Sequence, residues 1–135
     1  MVTLEEEIGY LNLYLEIEKV RFGNRLQTEI NISDGCKPAL LPTLLLQPIV
    51  ENAIKFGLYD TTGQTLITID CQSDGKELII SVKNPFDPET SNPKKGTGFG
   101  LSSINRRLYL LFARNDLLTT AIHDTVFETT VKIPQ

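Results

Sequence analysis

An α/β two-layer sandwich, with a mixed and mostly antiparallel sheet and its helices on one face, is the fold this sequence predicts. Two patterns and one bound carry the prediction. Apolar residues recur at helical spacing over 4–20, 48–57 and 101–113, and alternate over 26–32, 65–71, 77–82, 117–122 and 126–133. The resulting order is helix, strand, helix, hairpin, long loop, helix, hairpin, and strands joined by short turns imply antiparallel pairing with the helices gathered on one side. A length of 135 residues, 41% of them hydrophobic, suffices for one core and not for two.

Each element has a local reason. In 4–20, Leu4, Ile8, Leu11 and Leu15 fall on one helical face, and Glu5, Glu6 and Glu7 place acid in the first turn, where the helix dipole favours it. Thr3 is positioned as N-cap, with Glu6 three residues on to complete a capping box. Tyr10, Tyr14 and Ile17 widen the apolar face beyond one stripe, as fits either a helix packed on its own domain or a connector that also packs on a helical region upstream. The strand over 26–32 ends at Ser33, Asp34 and Gly35. The apolar run 39–54 is interrupted by Pro42 and Pro48, so its helix is expected to start or kink at Pro48 and to stop at Gly57. Ser73, Asp74, Gly75 and Lys76 are the clearest hairpin signal in the chain. From 84 to 100 the density of Pro and Gly forbids regular structure, and a long loop inside a compact domain is usually a functional lid or disordered.

Composition narrows the function. A net charge of −4 leaves no excess of Lys and Arg to neutralise a nucleic-acid backbone, so no nucleic-acid partner is expected. Cys36 and Cys71 have neither CxxC spacing nor histidine neighbours, and are expected as reduced, partly buried thiols. No apolar run approaches the roughly 20 residues of a membrane span, so the chain is expected to behave as a soluble piece.

Two stretches carry chemistry. In the helix 48–57, Glu51, Lys55 and Asn52 fall within an arc of about 100° on an otherwise apolar helix. A carboxamide oxygen can hold a hydrated Mg²⁺ and an ammonium can neutralise phosphate, although a solvated face with a Glu51–Lys55 pair has the same pattern. The second stretch is 94–101, KKGTGFGL, leading into a helix. Its glycines allow close approach of backbone N–H groups to an anion, and the helix N-terminus adds partial positive charge. No Gly-Lys-Ser/Thr follows, so it is not a Walker A loop, and GxGxG within no strand–turn–helix unit is not a dinucleotide fingerprint.

Taken together, LLLQPIVENAIKFG at 44–57 and GTGFGLSSINRRL at 96–108, with Arg106 and Arg107, resemble the N box and G box of the GHKL ATPase superfamily. Within it the chain is similar to sensor histidine kinases of the LytS type. YLEIEKVRFGNRLQTEI at 14–30 resembles the segment after their phosphoacceptor helices, and FETTVKIP at 127–134 their last strand. The resemblance spans nearly the whole chain. It implies a Bergerat-type sandwich over 1–135, with a connector helix at 1–22 and a mobile ATP lid at 85–100.

What the resemblance implies for residues is specific. Asn52 would hold Mg²⁺ on the ATP phosphates, Lys55 would contact phosphate, and Glu51 would stand beside them as a polar or base-like group. Phe56 would pack on adenine or ribose. Gly96, Thr97, Gly98, Phe99, Gly100 and Leu101 would bring lid N–H groups to the phosphates, with Lys94 and Lys95 adding charge. Thr129 or Thr130 would reach the adenine side. Where many relatives carry an Asp-x-Gly-x-Gly box, residues 82–87 read VKNPFD; Asn84 is the candidate for the adenine-binding aspartate, with Asp87 as a less favoured alternative. Pro48 stands where many relatives have another polar residue. His123, the only histidine, sits between two strands and far from any phosphoacceptor-like helix.

The implied activity is that of an ATP-dependent protein histidine kinase, in which ATP and Mg²⁺ serve a histidine on dimerisation helices elsewhere in the same protein. The implied partners are those helices, a second copy in a full-length homodimer, and a response regulator. The implied location is the cytoplasmic side of a membrane-anchored parent. The rival reading is a non-catalytic interaction module that keeps the sandwich and has lost ATP through the changes at Asn84 and Phe56. A related ATPase or serine kinase is a third, and the 14–30 segment speaks against it.

Overall fold

The first long helix, α1 (Leu4–Phe22), starts where its cap predicts: the Thr3 hydroxyl accepts from the Glu6 N–H at 3.2 Å. It ends at Gly23, whose φ of 60° suits glycine. The computed structural model describes residues 1–59, 63–86 and 98–135. Ahead of α1, β1 (Val2–Thr3) pairs with β3 (Leu40–Leu41) in a small two-stranded sheet that the sequence pattern did not indicate.

Five strands form the main sheet: β2 (Leu26–Ile32), β4 (Thr65–Ser73), β5 (Glu77–Pro85), β6 (Leu118–His123) and β7 (Val126–Pro134), in the order β2-β4-β5-β7-β6. Only β2 and β4 run parallel, in register from Leu26↔Thr65 to Ile32↔Cys71. A parallel pair needs a crossover, and α2 (Leu46–Tyr59) lies within it. The remaining pairs are antiparallel. The β4–β5 hairpin is closed by Asp74, which accepts from the N–H groups of Lys76 and Glu77 at 2.8 Å, while Gly75 takes φ 88°. Those bonds hold the Asp74 carboxyl below its ordinary range.

Period-two alternation builds the core. Ile67, Ile69 and Cys71 of β4, Leu78, Ile80 and Val82 of β5, and Val131 and Ile133 of β7 are buried. They pack with Leu4, Ile8, Leu11 and Leu15 of α1, with Ile49, Val50, Ala53 and Ile54 of α2, and with Leu101, Ile104 and Leu108 of α3 (Gly98–Phe112). This is the two-layer sandwich with its helices on one face. The opposite side of α1 leaves Tyr10, Leu13, Ile17 and Val20 exposed, the last at 87%.

Several boundaries differ from those expected, among them β5, which runs through Pro85 into the stretch expected to be irregular; the three at helix ends have identifiable causes. Helix α2 starts at Leu46 rather than Pro48, because Pro48 falls in the first turn, where its missing N–H costs nothing. The start is fixed by Glu7 of α1. Its carboxylate, 2% exposed, accepts from the N–H groups of Leu44 at 3.0 Å, Leu45 at 2.7 Å and Leu46 at 3.1 Å. Nor does α2 stop at Gly57. That glycine lies inside the helix, and a Cβ there would stand 2.5 Å from Thr65 Cγ2. Thr65 Oγ1 donates to Gly57 O at 2.9 Å, so the glycine permits helix–strand contact rather than ending the helix. Finally, α3 begins at Gly98 instead of 101, so residues 98–100 of the expected lid are helical; 87–97 lie outside the described residues.

Both cysteines are buried and free. Burial above all, with Cys36 and Asp70 nearby, pushes the Cys71 thiol up to about 12. Two outcomes follow from this packing. Gly57→Ala is expected to destabilise by about 1–3 kcal/mol, because Thr65 is held by its hydrogen bond and cannot swing aside freely; equilibrium urea unfolding measures it. Cys71 is expected to resist iodoacetamide at pH 8 in the folded protein and to react once urea unfolds it, read by mass spectrometry of the peptide.

Candidate nucleotide-binding site

The polar residues of α2 differ in exposure. Glu51 and Lys55, one turn apart and both exposed, face α1, where they line a groove of about 320 Å³ with Tyr14, Glu18 and Arg21. Glu51 Oε1 accepts from Gln47 Nε2 at 3.1 Å rather than pairing with Lys55. Asn52 and Phe56, also one turn apart, are drawn further into the fold: Asn52 is half-buried and Phe56 is 8% exposed. The arc expected from the sequence is kept on the regular helix, with Glu51 and Lys55 toward its exposed edge beside α1 and Asn52 at its half-buried edge.

Phe56 leads to the sheet. Its ring lies 6.5 Å from that of Phe127 on β7, and Phe127 meets Phe86 edge-on at 6.2 Å. In the register of β5 and β7, Phe127 stands opposite Asn84, and Thr129 opposite Val82. Asn84 and Thr129 are both buried on the helix-covered face, whereas Thr130 points to the other face and is half-buried. Thus Phe56, Asn84 and Thr129 gather around Phe127. Strand alternation puts Phe127 on the same face as Thr129, a signal available in FETTVKIP although the sequence reading did not use it.

Two features fit an adenine nucleotide. Asn84 Nδ2 donates to Pro85 O at 2.9 Å, which fixes the amide orientation and leaves Oδ1 as the acceptor, with no hydrogen-bond donor among the described residues. Asn52 Nδ2 is buried with no hydrogen-bond partner among them either. An unpaired buried donor costs about 1–3 kcal/mol, a cost that an anionic oxygen at the site would remove. Asn105 Oδ1 on α3 is likewise buried and unpaired. The sequence reading passed over Asn105, although it stands four residues after Leu101, beside the apolar face of that helix.

The glycine-rich segment is met at its end. Gly98, Phe99 and Gly100 form the first turn of α3, so their N–H groups lack intrahelical acceptors and carry the positive end of the helix dipole. Leu101 is a core residue, 7% exposed. Gly96, Thr97, Lys94, Lys95 and Asp87 lie outside the described residues. His123 ends β6, with Nε2 3.3 Å from Glu128 Oε1 and its side chain largely exposed. Glu128 also accepts from Ser81 Oγ at 2.6 Å, and that bond first, then His123 and Lys83, hold its carboxyl below the ordinary range. His123 thus sits in a surface cluster of β5, β6 and β7.

Among known proteins, no protein-family model matches the chain. It is 33% identical to the sensor histidine kinase BtsS of Escherichia coli over 137 residues, covering 98% of this chain and 24% of the relative. It is 32% identical to the sensor protein LytS of Oceanobacillus iheyensis (87% and 22% covered) and 33% identical to the sensor histidine kinase YesM of Bacillus subtilis (83% and 20% covered). The chain spans about a quarter of the length of these relatives. In fold it is similar to the catalytic domain of the histidine kinase ThkA, with a TM-score of 0.69 at 14% identity over 98% of this chain and 93% of that one. The fold is shared with a histidine kinase catalytic domain, and identity to sensor kinases extends over nearly all of this chain: it belongs to the sensor histidine kinase family of BtsS, LytS and YesM.

Proposed function

We propose that this chain binds Mg·ATP and presents the γ-phosphate to a histidine on dimerisation helices elsewhere in the same protein. The observation that carries the reading is the buried, unpartnered amide nitrogen of Asn52 on a helix that also bears Phe56. Asn52 is suited to serve both parts of the ligand, its oxygen toward the cation and its nitrogen toward a phosphate oxygen. Mg²⁺ would supply neutralisation of the phosphate charge. Asn84 Oδ1 accepts from the adenine amino group, with Thr129 beside it, and Phe56 packs on the ring or ribose. The first-turn N–H groups of α3, with Gly96 and Thr97 before them, receive phosphate oxygens. Lys55 adds a positive charge and Glu51 a carboxylate from the α1 side of α2. Such a site works by positioning and charge neutralisation.

The partners follow the same reading. The exposed stripe of Tyr10, Leu13, Ile17 and Val20 gives the dimerisation and phosphoacceptor helices an apolar surface to pack on, in a protein that is a homodimer at full length. A solved structure of ThkA in complex with the response regulator TrrA supports a response regulator as the next acceptor. The parent is membrane-anchored with this domain on the cytoplasmic side; no described helix is itself long and apolar enough to cross a membrane.

The test is a calorimetric titration with a non-hydrolysable ATP analogue, with and without Mg²⁺, for the wild type, Asn52→Ala and Asn84→Ala. Saturable binding is expected, with its Mg²⁺ dependence abolished in Asn52→Ala. Asn84→Ala is expected to weaken the analogue about tenfold, the loss of one buried hydrogen bond. Absence of binding at millimolar analogue by folded wild-type protein would overturn the reading in favour of a non-catalytic interaction module.

A further inference from the structure

Three helices meet at residues 43–46. From α1, the Glu7 carboxylate reaches across 37 to 39 residues of sequence to accept from the N–H groups of Leu44, Leu45 and Leu46. From α3, Arg107 Nη2 donates to the carbonyl of Thr43 at 2.6 Å. Leu44 holds φ at 58°, a left-handed conformation that leucine rarely adopts. Successive N–H groups that converge in this way form an anion site, and here they adjoin the positive end of a helix dipole. The anion in it is a side chain of the same protein.

This is more than an ordinary cap. An N-cap side chain normally comes from the residue just before its helix and holds one turn together. Glu7 comes from another helix, so its bonds fix the end of α2 relative to α1. Asn52 lies six residues beyond Leu46, about 9 Å along the same rigid helix. A displacement of the helix end is therefore carried to the Asn52 amide.

We infer that Glu7 is a positioning residue for the nucleotide site: by holding the N-terminus of α2 it sets where Asn52 stands, and so joins α1 to the phosphate end of the pocket. The part of this that concerns nucleotide rests on the proposed function, whereas the placement of Asn52 does not. Glu7→Gln keeps the side-chain length but removes the charge and replaces one acceptor oxygen with a donor. Its comparison is Leu78→Val, a buried core change on β5 that lowers stability and removes none of the hydrogen bonds at residues 43–46. Both are measured well below their unfolding temperatures, by the ¹⁵N side-chain amide resonance of Asn52 in the free protein and by titration with the Mg²⁺-loaded ATP analogue.

The Asn52 resonance is expected to move in Glu7→Gln and to stay in place in Leu78→Val. Analogue affinity is expected to fall roughly tenfold in the first and to hold in the second, the scale typical of residues that orient a metal ligand. Glu7→Asp, which keeps the carboxylate, is expected to recover part of both, and serves as the variant of record should Glu7→Gln fail to fold. A Glu7→Gln protein whose Asn52 resonance matches wild type, or moves no more than in Leu78→Val, overturns the inference. If wild-type protein binds no analogue, the nucleotide reading has failed, and the resonance alone still decides the role of Glu7.

Discussion

A carboxylate taken out of water needs donors, and Glu7 finds three of them at the start of α2. Burial of an uncompensated charge costs several kcal/mol, so the arrangement is stable only while α1 and the N-terminus of α2 keep their relative position. The apolar face of α1, with Leu4, Ile8, Leu11 and Leu15, accounts for packing in general but would tolerate sliding. Hydrogen bonds at 2.7 to 3.1 Å do not tolerate it. The position of α2 then follows, and with it everything that α2 carries.

The second constraint is at the other end of that helix. Helix α2 lies within the crossover of the only parallel pair in the main sheet, between β2 and β4, and Gly57 lets it press on Thr65 where β4 begins. Held by Glu7 at one end and by this contact at the other, α2 runs along the inner face of the sheet. That places Phe56 against Phe127, whose strand also bears Thr129 and whose opposite residue on β5 is Asn84. The aromatic contact thus ties the helix-borne part of the site to the strand-borne part.

Most of the fold was legible because the core is made by periodicity, and the strands over 26–32, 77–82 and 126–133 emerge with small changes of boundary. What was not legible depended on contacts distant in sequence. Pro48 and Gly57 look like the ends of a helix by local propensity, yet an acid 39 residues before Leu46 sets the start and packing on Thr65 explains the glycine. Glu7 resembled a first-turn acid like Glu5 and Glu6, although its spacing of three from Leu4 and four from Leu11 sets it on the apolar face. Asn84 and Thr129 were identified through resemblance, and the register then brought their strands together. Which edge of the Glu51–Lys55–Asn52 arc is exposed depends on where α1 lies, which helical angles alone do not give.

The electrostatics of the site also do not follow from composition. The chain carries a net charge of −4, yet its reading as a phosphate binder requires local positive potential. Two helix N-termini bear on it, and the fold treats them differently. That of α2 is filled by Glu7, whose carboxylate opposes the dipole and accepts from the N–H groups of Leu44, Leu45 and Leu46. That of α3 begins at Gly98, and among the described residues no carboxylate is hydrogen-bonded to its first-turn N–H groups. Among the described residues, one helix end is thus occupied by a carboxylate and the other is not. With the first closed, the proposed reading has α2 contribute through its side chains, Asn52 foremost, and α3 through its backbone. This division makes α2 the helix whose position must be fixed accurately, because a side-chain amide that serves a cation and a phosphate at once depends on placement in a way that a general dipole field does not.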